Sequence, residues 1–145
     1  MESVYTTYLS VIRQACCSSA DADANIDTAI TIRPEEVHAL AVLSQEHRTA
    51  PFLLPFFHGT DCYASLRQQT KNMMLNYYQI EHFTHTTVSL LEKEHISCYL
   101  LKGLSLADCY PVPEYRKLGD LDLYISDKED FDRAKCILAS HGYLE

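Results

Sequence analysis

Between Leu66 and Leu91 the side chains repeat with the period of a helix. Leu66, Met73, Tyr77, Ile80 and Leu91 favour one face, with Thr70, Thr84 and Thr87 in the same register. The spacing predicts one long helix, or two stacked, over residues 61–94. The same period runs upstream. Val4, Tyr8, Val11, Ile12 and Ala15 predict a first helix over 3–17, and the small polar run Ser18 to Asn25 reads as a loop. A further helix begins near Pro34. Proline suits a first turn, Glu35 and Glu36 suit the positive end of the helix dipole, and Val37, Leu40, Ala41 and Leu43 form the buried stripe. Two prolines between Thr49 and Gly59 break that helix. The apolar run Pro51 to Phe57 is expected to pack under the helices rather than to bind a partner.

The pattern changes at Ile96. Cys98-Tyr99-Leu100-Leu101 is a short apolar run bounded by Lys102-Gly103, a candidate buried strand. Leu104 to Cys109 can form a short helix, and Tyr110 to Gly119, with two prolines and a glycine, is a loop. Asp120 to Ile125 alternates strictly, with Asp120, Asp122 and Tyr124 on one face and Leu121, Leu123 and Ile125 on the other. Ser126-Asp127-Lys128-Glu129 has the capping-box pattern. It opens a helix with Phe131, Ala134, Ile137 and Leu138 inward, and Gly142 closes it. Tyr143-Leu144-Glu145 reads as the start of another strand. The fold expected is α+β: a helical region over 1–95, then a core over 96–145 whose sheet is only partly complete at the C-terminus.

Composition narrows the partners. Twenty acidic residues against 12 basic ones give a net charge of −8, with no long basic run. Binding a duplex backbone needs clustered Lys and Arg, so a small molecule or a protein is favoured over nucleic acid. The longest apolar stretch is too short to span a bilayer, and the N-terminus lacks the pattern of a secretory signal. Six cysteines without a C-x-x-C are expected to be reduced thiols in a cytoplasmic protein, with Cys98 and Cys136 as small core residues. Among the seven histidines, His82 and His85 lie three apart on a helix. No carboxylate or cysteine completes a metal set around them, so they read as surface residues.

The acidic residues after 120 separate into two groups. Asp127 and Glu129 belong to a helix start, and Asp130 and Asp132 to its solvated side. Asp120 and Asp122 are different. Aspartate is depleted in strands, and like charges on one strand face repel. At i and i+2 their Cα atoms would stand about 6.5–7 Å apart. Hard oxygen ligands converging in this way suit Mg²⁺ or Mn²⁺. Upstream, Leu101-Lys102-Gly103-Leu104-Ser105 reads as strand, glycine turn and helix. Gly103 lets a ligand approach the backbone, and Lys102 and Ser105 add a charge and a hydroxyl. A phosphate cradle followed by a metal-binding carboxylate pair is what transfer from a nucleoside triphosphate requires.

These residues are similar to a known pattern. Leu100 to Asp108, then Tyr110-Pro111, Arg116, Gly119-Asp120-Leu121-Asp122-Leu123 and a helix ending in His141-Gly142-Tyr143 resemble the bacterial uncharacterised nucleotidyltransferase family, within the DNA polymerase beta-like nucleotidyltransferase superfamily. The resemblance covers about residues 95–145. It implies a small mixed sheet flanked by helices. It further implies that Asp120 and Asp122 are catalytic and bind Mg²⁺ or Mn²⁺. Lys102, Gly103, Ser105 and Arg116 would hold ATP or another nucleoside triphosphate. A nucleoside monophosphate would pass to an unknown acceptor, with pyrophosphate leaving. The chain departs from the pattern at Leu104, where the superfamily usually has serine directly after the glycine. The superfamily's third carboxylate, on a later strand, has no counterpart that can be identified here, so the chain is expected to be inactive alone if that residue is required. The alternative is a truncated, non-catalytic interaction module that keeps part of this fold.

Overall fold

The computed structural model describes residues 4–17, 30 and 32–143. In chain order its helices are α1 (Val4–Cys17), α2 (Val37–Glu46), the single turn α3 (Ala50–Leu53), α4 (Tyr63–Lys93) and α5 (Lys128–Ser140). Its strands are β1 (Tyr99–Leu101) and β2 (Asp122–Tyr124). This is an α+β fold with a helical N-terminal part. Among the described residues no helix is long and apolar enough to cross a membrane.

The stripe read from the sequence becomes one uninterrupted helix. Leu66, Thr70, Met73, Tyr77, Thr84, Thr87 and Leu91 are all buried along α4. The threonines are tolerated because each hydroxyl has a partner. Thr70 donates to the Leu66 carbonyl at 2.9 Å and Thr84 to the Ile80 carbonyl at 2.7 Å. Three cores are strung along this one helix. At its start, Leu66 joins Tyr8, Val11, Leu40, Leu43, Phe52, Leu53 and Phe57. In its middle, Tyr77 packs with Ala107 and Leu118. At its end, Leu91 packs with Ile96 and Ala134, with Cys98, Leu123, Ile125, Ile137 and Leu138 around them.

The segment after Thr49 packs as its apolar character demands. Pro51, Phe52, Leu53 and Phe57 are buried in α3 and the 3₁₀ turn that follows. Helix α2 is entered through a 3₁₀ turn, Pro34–Glu36. Glu36 lies in the first turn there, as expected. It is buried, 2% exposed, and bonded to the Arg33 guanidinium, and it accepts from Thr7 Oγ1 at 3.3 Å. That contact fastens α1 to α2. The guanidinium holds the carboxyl below its ordinary range, against the opposing effect of burial.

Beyond α4 the two strands pair antiparallel, Tyr99 with Tyr124, Leu100 with Leu123 and Leu101 with Asp122. The expected mixed sheet is, among the described residues, this antiparallel pair. Helix α5 starts one residue later than the capping-box reading places it. Asp127, not Ser126, is the cap, and its Oδ1 accepts from the amides of Glu129 at 2.8 Å and Asp130 at 2.9 Å. Gly142, at φ +86°, follows the end of that helix as expected. Two expectations on α5 are corrected. Cys136 is exposed, because the inward stripe is Ala134, Ile137 and Leu138 and the helical turn carries Cys136 off it. Phe131 is 49% exposed and walls an open apolar groove with Leu121 and Leu123. Tyr143 lies outside any strand and stacks on Phe83 at 5.5 Å. The expected loop from Ser18 to Asn25, and Leu144 and Glu145, lie outside the described residues.

Candidate functional site

The glycine turn and the acidic strand meet in space. Lys102 follows β1 at φ +50°, a backbone region that glycine favours, and Gly103 comes next at φ +47°. A Cβ on Gly103 would lie 3.3 Å from the Asp120 carbonyl oxygen. The turn and the start of the acidic run are therefore in backbone contact, which explains why glycine stands there. Leu121, Leu123 and Ile125 line one groove with Phe83 and Leu91, so their alternation holds and Asp122 belongs to the opposite face. Asp120, two residues earlier, is exposed and lies before the strand, which starts at Asp122 rather than at Asp120 as the alternation predicts.

Each remaining candidate is placed by a specific contact. Lys102 Nζ lies 3.3 Å from Asp122 Oδ2, the ammonium 73% exposed and the carboxylate 35%. A pair this open contributes little to stability. The Ser105 hydroxyl donates to the Lys102 carbonyl at 2.6 Å, and the Ser105 amide donates to the same oxygen at 2.9 Å. Ser105 therefore closes the turn with its hydroxyl. Arg116 donates from Nε to the Gly103 carbonyl at 3.1 Å. Its guanidinium carbon stands 5.8 Å from the centre of the Tyr110 ring. Lys102, Gly103, Ser105, Arg116, Asp120 and Asp122 thus share one neighbourhood, although 20 residues separate its ends.

Three residues that sequence reasoning passed over hold this neighbourhood in place. Leu118, 1% exposed, plugs the loop into α4 beside Tyr77. Glu114 accepts from the Tyr78 hydroxyl at 2.8 Å, which pushes the Tyr78 phenol above its ordinary range. Lys117 Nζ donates to Asn76 Oδ1 at 2.8 Å and to the Leu118 carbonyl at 2.6 Å. Only Leu118, as an apolar residue in a polar loop, carried any signal in the sequence. Tyr110, in the Tyr-Pro pair, supplies the ring beneath Arg116. Together these contacts make the stretch from Tyr110 to Gly119 a fixed bracket rather than a loose loop.

Asp120 and Asp122 are the groups here that could hold a metal. Among the described residues no group of three His, Cys, Asp or Glu side chains is arranged around one point. Mg²⁺ does not demand one, because it commonly takes one or two carboxylates and completes its shell with water and substrate phosphates. The donor set is hard oxygen, as that ion prefers.

The family model described as uncharacterised nucleotidyltransferase matches residues 33–145. The chain belongs to that family. Membership supports a transferase of the nucleotidyl kind and implies a nucleotide as substrate. The match contains α2 to α5 and every site residue above, and α1 lies before it. No curated protein and no solved structure matches the chain at a significant level.

Proposed function

We propose that this chain seats a nucleoside triphosphate at the Lys102-Gly103 turn and transfers its nucleoside monophosphate to a hydroxyl-bearing acceptor. The observation that carries this reading is the 3.3 Å approach of the Gly103 Cβ position to the Asp120 backbone. It brings the glycine turn and the acidic run together in a chain of this family.

Each side chain has a part in that reading. Gly103, lacking a Cβ, lets the acidic run close on the turn that would seat the phosphates. Lys102 leaves its open pair with Asp122 for the phosphates. Arg116 is anchored through Nε, so its two terminal nitrogens are the donors that meet phosphate or acceptor. Ser105 acts on the nucleotide through the turn it closes. Asp120 and Asp122 would hold Mg²⁺ or Mn²⁺, which when bound offsets phosphate charge and lowers the pKa of an attacking hydroxyl. The acceptor oxygen bonds to the α-phosphorus, its proton leaves to a carboxylate or water, and pyrophosphate departs with the electrons of the broken bond. The helical region over 1–95 would shape the acceptor side.

The test is pyrophosphate release with candidate acceptors, in the native protein and in Asp120→Asn and Asp122→Asn. Loss of at least about 100-fold with unchanged folding is expected, as for removal of a principal charge-stabilising group. Full activity in both variants would remove the carboxylates from the chemistry. A second reading, a non-catalytic interaction module, draws on the open groove of Leu121, Leu123, Ile125 and Phe131. It expects no triphosphate binding in any condition.

A further inference from the structure

The histidines on α4 gain company in the folded chain. His82 and His85 share a surface depression with Thr86, Ser89 and Lys93 of the same helix, and His141, at the C-terminal cap of α5, closes its far side. The depression measures about 580 Å³, room for a small phosphorylated molecule. We infer that it is a second ligand site, separate from the Gly103 turn, that takes a tetrahedral oxyanion of the phosphate type and fills as the imidazoles gain protons.

Charge decides for an anion and against a metal. Among the described residues no set of three histidine, cysteine or acid side chains closes on one ion, and Lys93 would repel a cation. No described carboxylate lines the depression, in a chain with a net charge of −8. On α4 the nearest carboxylates are Glu81, one turn before His85, and Glu92, beside Lys93, and neither lines the depression. On α5 the last carboxylate is Asp132, more than two turns before His141. Tyr143, the remaining ionisable group of the wall, lies 3.2 Å from the Thr87 hydroxyl.

The proton dependence follows from the imidazoles themselves. His141 Nδ1 lies 2.9 Å from the Ile137 carbonyl and 3.2 Å from Ser140 Oγ. A neutral imidazole keeps one nitrogen lone pair, which repels an oxyanion. Protonation turns that nitrogen into a charged donor, at His141 as at His82 and His85. Thr86 and Ser89 supply hydroxyl donors at any pH.

The test follows the histidine ring proton signals during titration with sodium sulfate, at constant ionic strength, at about pH 6 and about pH 8, on either side of the ordinary imidazole range. Sulfate stays dianionic throughout, so any pH dependence belongs to the protein. The site predicts saturable shifts at His82, His85 and His141, at least about tenfold weaker at the higher pH. It predicts the same loss in the exposed double variant His82→Gln/His85→Gln, and raised imidazole pKa values when sulfate is present. Inorganic phosphate and glycerol phosphate are further arms. Tighter binding of the ester points to a phosphorylated metabolite, and equal binding to the free anion, either supporting the site. Non-saturable shifts spread over all the histidines, equal affinity at the two pH values, or undiminished binding in the double variant would each overturn it. None of these readings involves nucleotide or the carboxylate pair, so the outcome is independent of the proposed transfer.

Discussion

Lys102 is one of three described non-glycine residues with positive φ, beside Arg48 and His95, and the one that stands at the candidate site. A lysine at φ +50° and ψ −146° stands in a region where side-chain-bearing residues are strained, typically by about 1–3 kcal/mol. The strain sits at the turn proposed to seat phosphate. The sequence showed Lys-Gly and a bend. It could not show that the lysine itself carries the unusual angle, because only the pairing of Leu101 with Asp122 and the contact of Gly103 with Asp120 impose it. Lys102→Gly is expected to leave stability level or raise it by up to about 1 kcal/mol, while triphosphate affinity falls by about tenfold. Denaturant melts and a binding titration check the two halves. Gly103→Ala should cost about 1–2 kcal/mol, since its Cβ meets backbone at 3.3 Å and its φ is positive. Glu36 gives a prediction in pH. Its folded-state pKa lies below the ordinary 4.5, so its contribution is complete above that range. It is lost as pH falls through the lowered folded value. Acid melts of the native chain should therefore show a loss that Glu36→Gln, less stable at neutral pH, shows to a smaller degree.

At the scale of elements, α4 was almost wholly legible. A one-sided stripe over so many turns fixes both the helix and its buried face, and the structure places every stripe residue accordingly, with Ile80 half-buried. The centre of the acidic strand was legible for the same reason, since alternation is a period, but its ends were not: the alternation runs from Asp120 to Ile125 and only Asp122–Tyr124 pairs with β1. Phe131 was not. Its exposure depends on what lies over β2 and α5, which no local pattern encodes. The bracket from Tyr110 to Gly119 was also opaque, because Glu114 to Tyr78 and Lys117 to Asn76 are long-range pairs between ordinary polar residues. Leu118 is the anchor of that bracket. Leu118→Ala should destabilise by about 2–5 kcal/mol through the space it leaves against Tyr77 and Ala107. Chemical melts would register it, and a cost below about 1 kcal/mol would mean that the bracket is held by its polar contacts instead.

For the whole molecule, one helix links a helical core at one end to a small sheet at the other, with the candidate site between them. The candidate site residues run from Lys102 to Asp122, after the helical region. Their support, however, reaches back into α4 through Tyr77 and Asn76. Residue types and spacing carried the candidate list, and chain contacts that no single sequence displays join the list into one place. The most direct measurement is calorimetry of the intact chain with ATP, GTP, CTP and UTP, each with and without Mg²⁺, repeated on Asp122→Asn. The account predicts saturable heat with at least one triphosphate, dependent on the metal and abolished by the substitution. Binding that ignores both metal and Asp122, or no binding of any of the four, would contradict it.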